Sequence, residues 1–115
     1  MYTYCAKVVR VIDGDTVVVD IDLGFDVWVR NVTLRLDRID AYETRLTKGT
    51  TPEMKEKGLL AKSWLQSYVD VHSNEITVTT TDRGKYGRWI AELIIGTKCI
   101  SDELVSLGYA VYKTY

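Results

Sequence analysis

The sequence predicts a small α+β domain: five short strands closing into a β-barrel, a helix between strands three and four, and a short helix after strand five. Three observations carry that expectation. Apolar and polar residues alternate in strand-length runs between residues 5 and 36, interrupted by Asp13-Gly14-Asp15 and by Gly24. A single apolar stripe at helical spacing follows Thr51-Pro52. Strand patterning then returns at 75–81 and 88–95, ahead of a short capped segment that ends at Gly108. At 115 residues with 46% apolar side chains, the chain fits one domain, residues 1–115, whose core excludes intrinsic disorder.

Residues 5–12 and 16–23 read as the first hairpin, because Asp-Gly between apolar runs supplies the positive φ that a tight turn needs. In its second strand Val17, Val19, Ile21 and Leu23 share one face, and Thr16, Val18, Asp20 and Asp22 the other. Gly24 turns the chain into a third strand, about 27–36, with Val32, Leu34 and Leu36 together on one face. Arg35 therefore points off the core. Residues 37–51 lack a period and read as a loop. Thr51 as N-cap, Pro52 at the first helical position and Glu53 at the positive end of the dipole then start a helix. Its stripe runs through Leu60 or Ala61, Trp64 or Leu65, and Tyr68 or Val69. Gly58 inside it is a mild local defect, about 1 kcal/mol against Ala. Ile76 and Val78 alternate with threonines in the fourth strand, and a turn-rich connector, 82–87, leads to the fifth. Ser101 is expected to cap the last helix, with Asp102 and Glu103 in its first turn and Gly108 as its stop. Three strands, a helix, two strands and a short helix suit a five-stranded OB-type β-barrel.

Charge and cysteine usage narrow the function classes. Lysine and arginine number 15 against 16 aspartate and glutamate, a net charge of −1, whereas a nucleic-acid partner usually leaves a basic footprint. Any basic surface must be local. Positive charge gathers at Lys48–Lys62 and around Arg83, Lys85 and Arg88, while carboxylates crowd residues 13–43. Cys5 and Cys99 form no Cys-x-x-Cys pair and His72 is the one histidine, which argues against zinc. The cysteines are expected to be buried free thiols. Trp64 reads as core, Trp28 and Trp89 as packing residues before stacking platforms, and His72 as a group at the helix C-terminus. The first residues show no charged start followed by an apolar run, and no stretch is long enough to span a membrane. The expectation is a cytoplasmic protein with no membrane partner, in a role that fits the cell interior or a mobile element.

Five residues could carry chemistry together: Asp15, Arg35, Asp40, Glu43 and Arg88. Asp15 and Asp40 lie near strand ends and could share a hard cation, for which calcium, with its taste for oxygen ligands and irregular geometry, is suited. Arginines matter because a phosphodiester gains negative charge on its equatorial oxygens during in-line attack, and a guanidinium donates two hydrogen bonds to such oxygens. Glu43 could act as general base toward a water, a role worth about 10²–10⁴-fold. Taken singly, each is matched by an ordinary reading: Asx-turn formers, solvated arginines, a surface glutamate.

Order and spacing make the set specific. Val11-Ile12-Asp13-Gly14-Asp15-Thr16-Val17, the run from Leu34 through Arg35 and Asp40 to Thr44, and Lys85-Tyr86-Gly87-Arg88 resemble the three signature blocks of the staphylococcal nuclease (thermonuclease) family. The closing Ser101–Gly108 looks like that family's next helix and its glycine stop, so the resemblance runs from about residue 7 to residue 112. It implies a calcium-dependent nuclease acting on DNA or RNA, with single strands preferred. Asp15 and Asp40 would bind calcium through carboxylates and Ala41 through its backbone carbonyl. Glu43 would deprotonate the attacking water, and Arg35 and Arg88 would hold the scissile phosphate. Lys85 and Tyr86 match positions that contact a nucleotide's terminal phosphate, Tyr112 or Tyr115 would supply an aromatic wall, and Asp13 fits a turn former or outer carboxylate.

This chain also departs from the family. Tyr42 stands where proline is usual, Asp37 adds a carboxylate that Arg38 is placed to neutralise, and the strong basicity of the secreted relatives is missing. Apolar surface near Tyr109 and Val111 is a candidate contact for a homodimer, against a monomer. Two other readings compete: a catalytically silent OB-type nucleic-acid-binding module, and a domain that binds calcium for structure alone. The second leaves both arginines and the Lys-Tyr-Gly-Arg block without a purpose.

Overall fold

The computed structural model describes residues 2–41, 51–72, 76–83 and 88–113, with the side chains of 81–83 left out. Strand β1 (Tyr2–Asp13) pairs antiparallel with β2 (Thr16–Asp22) along most of its length, and its first residues also pair with β5 (Ile76–Arg83). It lies inside the sheet between those two neighbours, and its register with β2 shifts between Val8 and Arg10 and between Val11 and Asp13, bulges that bend the strand. β3 (Trp28–Leu36) lines up beside β2, and β6 (Trp89–Ile95) beside β5. A parallel pairing of Leu34–Leu36 with Trp89–Ala91 joins β3 to β6 and closes the five-stranded barrel.

Three short strands complete the framework. β7 (Lys98–Cys99) extends the sheet beyond β6. β4 (Ile39–Ala41) and β8 (Ala110–Tyr112) form a separate two-stranded antiparallel ribbon. The span 37–51, expected to be a loop, thus contains a strand at its start. Three residues are too few to display an alternation, and the partner comes from the far end of the chain.

Strand faces follow the alternation in the main. Val17, Val19, Leu34, Leu36, Val78, Leu93 and Ile95 are fully buried. Val18 is buried too, so β2 is covered on both sides there, while Leu23, expected inside, is exposed where the strand has ended. Cys5 is exposed and Cys99 half-buried; both thiols are free, but the expectation that they are buried is corrected.

Helix α1 (Pro52–Val71) begins as its sequence dictates, with the Thr51 hydroxyl accepting from the Met54 N–H at 3.2 Å, a cap worth about 1 kcal/mol. The packed face is Gly58, Ala61, Leu65 and Val69. Leu65 and Val69 each contribute about 1.5–3 kcal/mol by burial. Trp64 sits on the flank of that face, against Tyr68 (5.2 Å between centroids) and Tyr109 (6.5 Å). His72 caps the C-terminus, and its ring lies on Tyr68.

Helix α2 (Ile100–Ser106) starts two residues earlier than expected, with Cys99 at the N-cap and no side-chain cap bond. Ser101 is not the cap. It is completely buried, and its hydroxyl donates to the Asp37 carbonyl at 3.0 Å, tying α2 to the end of β3. The helix ends in a Schellman arrangement: Gly108 takes φ +80°, its N–H donates to the Val105 carbonyl, and the Tyr109 N–H donates to Leu104.

Candidate active site

One end of the barrel carries a polar cleft of about 220 Å³, lined by Asp13, Asp15, Thr16, Arg35, Asp40, Ala41 and Arg88. Residues from four separate stretches of sequence meet there. Asp15 comes from the β1–β2 turn, Arg35 from the outward face of β3, Asp40 and Ala41 from β4, and Arg88 from the residue before β6.

The turn is positioned by close packing. Gly14 has no positive φ, so the expected reason for glycine is corrected. A Cβ built on Gly14 would meet the Ala61 Cβ at 2.8 Å and the Ala41 Cβ at 3.1 Å. The turn is therefore wedged between α1 and β4, and only a residue without a side chain fits. Asp15 in turn binds the neighbouring backbone: its carbonyl accepts from the Leu36 N–H at 2.8 Å, and its Oδ2 accepts from the Ala41 N–H at 2.9 Å. The Thr16 hydroxyl donates to Oδ1 at 3.0 Å.

Arg35 lies opposite Thr16 in the β2–β3 register, on the face away from the buried Leu34 and Leu36. Its guanidinium bridges both carboxylates. Nη1 is 3.1 Å from Asp15 Oδ2 and also donates to the Leu36 carbonyl, and Nη2 is 3.2 Å from Asp40 Oδ1. Lys113 Nζ stands 3.6 Å from the other Asp40 oxygen. The side chains of Arg35 and Asp15 are only 13% and 10% exposed. Burial is the largest influence on Asp15 and pushes its carboxyl above the usual carboxylate range, against Arg35, the Ala41 N–H and Thr16, which pull it down.

A second charged cluster flanks the cleft, beyond β4. Arg38, at φ +66°, directs Nε to Glu92 Oε1 at 2.8 Å and Nη2 to Asp102 at 3.3 Å. Asp37 is not neutralised by that guanidinium; its carboxylate accepts from the Arg38 N–H. The Cys99 thiol donates to Glu92 Oε2, and burial, followed by that bond, pushes the thiol up to about 11. Tyr112 donates its hydroxyl to Asp102 Oδ1 at 2.9 Å, which lowers the Asp102 carboxyl.

The expected site residues thus sort by position. Asp15, Arg35, Asp40, Ala41 and Arg88 share the cleft, with Asp13 on its wall. Tyr112 is engaged with Asp102 and is not among the cleft residues. Glu43, Lys85, Tyr86, Tyr115 and Tyr42 lie outside the described residues. Thr16, Lys113 and the wedge at Gly14 were not singled out from sequence. Among the described residues no three carboxylate, thiol or imidazole groups converge on one point, so a cation here would draw on two carboxylates, backbone and water.

Residues 33–115 match the family described as staphylococcal nuclease homologue. Over 109 residues the chain is 29% identical to a thermonuclease of Staphylococcus hyicus, an alignment covering 95% of this chain and 59% of that protein. It is 30% identical over 129 residues to an uncharacterised protein of Methanocaldococcus jannaschii, covering 93% of this chain and 58% of the other. The chain therefore spans about three-fifths of the length of the relatives it matches.

Proposed function

The chain belongs to the staphylococcal nuclease homologue family, and from that premise we propose that it hydrolyses phosphodiester bonds of DNA or RNA with calcium as cofactor. The observation that carries the reading is Arg35 bridging Asp15 and Asp40 inside a cleft shared with Arg88. Asp15 and Asp40 would hold the cation through carboxylates and Ala41 through its carbonyl. The donor chemistry supports this, since every candidate ligand is a hard oxygen. So does the buried Asp15, whose ionised form burial disfavours and a cation would favour. Calcium, when bound, supplies positive charge that draws a phosphodiester oxygen and a water together.

This chain's own residues supply the rest. The two terminal nitrogens of Arg35 now bond carboxylates, and these are the donors that would pass to the phosphate oxygens as charge develops on them. Arg88 adds a second guanidinium to the cleft. Glu43, carried by the segment that follows β4, would take the proton from the attacking water. Lys85 and Tyr86 would bind a terminal phosphate.

The test is cleavage of single-stranded DNA with calcium, with magnesium and with excess chelator. Activity with calcium that chelator removes is the expected result, and Glu43→Gln should then slow cleavage by about 10²–10⁴-fold while nucleotide binding persists. Folded protein that cleaves under none of these conditions overturns the reading and leaves the silent binding module in its place.

A further inference from the structure

We propose that Lys113 is a tethered counter-cation of the cleft, which competes with calcium for Asp40 and so sets how tightly the metal is held. The proposal rests on the reading that a cation binds Asp15 and Asp40. The contacts of the four carboxylate oxygens carry it. Asp15 Oδ1 accepts from the Thr16 hydroxyl, and Oδ2 accepts from the Ala41 N–H and lies 3.1 Å from Arg35 Nη1. Asp40 Oδ1 faces Arg35 Nη2 at 3.2 Å, and Asp40 Oδ2 faces Lys113 Nζ at 3.6 Å. All four oxygens are engaged by groups of this chain. The competitors that carry charge are Arg35 and Lys113.

Of these two, Lys113 is the one placed to yield. The Arg35 side chain is 13% exposed, spans both carboxylates and also donates to the Leu36 carbonyl, so it is held from three sides. The Lys113 side chain is 54% exposed and reaches Asp40 from the residue after β8. An ammonium on a four-carbon stem is strongly hydrated and exchanges a carboxylate for water readily. Its main chain is fixed independently, because the Lys113 N–H donates to the Arg38 carbonyl at 2.7 Å. The side chain can therefore leave Asp40 while the β4–β8 ladder beside it stays closed.

The consequence is a lowered affinity for the metal. A doubly charged ion settling between Asp15 and Asp40 meets an ammonium a few ångströms away unless that ammonium withdraws. Staying adds like-charge repulsion, and withdrawing gives up the ion pair with Asp40. In either case calcium binds less tightly than the same carboxylates would bind it with a neutral side chain at 113. A singly charged ion gains little by the exchange, since it replaces one unit charge with another. Lys113 thus holds Asp40 in place and biases the site toward divalent ions, at the expense of affinity.

Calorimetric titration of calcium into the full chain tests this without substrate or turnover. Lys113→Met should bind calcium about 3- to 20-fold more tightly than the parent, the range expected from one half-exposed ion pair plus like-charge repulsion in water. Lys113→Gln, which keeps a polar end without the charge, should match Lys113→Met, and Lys113→Arg should stay near the parent. Lys7→Met removes the same charge from β1, about 20 Å along the strand from Asp13, and should change nothing. In thermal melts Lys113→Met should lie at or slightly below the parent in chelator and above it at sub-saturating calcium, because a tighter site gains more from the same calcium. If Lys113→Met binds calcium as the parent does, or more weakly, the proposal is overturned while the parent's own binding keeps the calcium reading standing. Equal tightening in Lys7→Met would assign the effect to net charge and also overturn it. If neither the parent nor Lys113→Met binds calcium, both being folded, the calcium reading falls and takes the proposal with it.

Discussion

Arg35 and Arg38 leave the same stretch of chain at the end of β3, and each bridges two carboxylates, yet the two clusters behave oppositely. Around Arg35 the guanidinium and Asp15 are dry, at 13% and 10% exposure, while Asp40 is 46% exposed, and burial drives the Asp15 carboxyl up. Around Arg38 the guanidinium itself is wet, with Arg38 and Asp102 at 47% and 50% and Glu92 at 17%, and the Tyr112 bond, helped by the arginine, drives the Asp102 carboxyl down. One cluster is satisfied. In the other, burial disfavours the ionised form of Asp15, and an added positive charge would offset that burial. Similar contacts thus sit around one dry arginine and one half-exposed arginine, and that exposure separates the two clusters.

The sharpest way to break this contrast is to remove each arginine. Arg35→Met should lower cleavage by about 10²–10³-fold, the usual effect of losing one donor to a developing oxyanion. Arg38→Met should leave the turnover number within a few-fold and cost about 1 kcal/mol of stability, since its ion pairs are half-exposed. Steady-state kinetics and thermal melts on both variants decide it; a large activity loss in Arg38→Met would erase the distinction.

Gly14 gives the next largest effect. Gly14→Ala should destabilise by about 1–3 kcal/mol, because the new methyl meets two fixed ones, and should weaken calcium-dependent thermal stabilisation as the turn shifts from Ala41. Ala61→Gly in the same chain should restore part of both. No rescue would mean that the wedge is not what places Asp15.

Acid titration separates the clusters with opposite signs. The folded-state Asp15 carboxyl is raised, so protonation favours the native state: its contribution is fully present below the ordinary value of 3.8 and is lost as pH rises through the folded value. Asp102 is lowered, so its contribution is present above 3.8 and is lost as pH falls through its own folded value. In chelator, Asp15→Asn should therefore gain stability relative to the parent as pH climbs from 3 to 7, and Asp102→Asn should lose least at the acid end. Parallel melting curves for the two variants would contradict this assignment. The smallest effect is expected at Tyr112. Tyr112→Phe removes one exposed hydroxyl from Asp102, so KM for a nucleotide substrate should be unchanged and the melting temperature slightly lower. A raised KM would return Tyr112 to the cleft.

Much of this was legible in the sequence because it is local. Alternation in 16–22, the Thr51-Pro52 start and the Gly108 stop each depend on a few consecutive residues. Arg35 off the core follows from period two alone, and its meeting with Asp15 follows from an ordinary hairpin register. What escaped was set by distant partners. Ser101 reads as a cap, but a buried carbonyl at Asp37 claims its hydroxyl. Gly14 reads as a turn glycine, but the constraint comes from Ala61 and Ala41. No spacing along the chain announces such contacts.

The β4–β8 ribbon has a consequence in time. Asp40 is held in a strand of three residues whose ladder partner is Ala110–Tyr112, and the Lys113 N–H further closes onto the Arg38 carbonyl at 2.7 Å. During synthesis the barrel strands emerge first, up to Ile95, and can find one another while Asp40 still lacks its neighbour. Asp40 and Ala41 of the cleft thus depend on a strand pairing that the barrel does not supply. A chain ending at residue 107 should keep the far-ultraviolet signature of the barrel and show no calcium-dependent stabilisation, because Asp40 would lose the ladder that holds it.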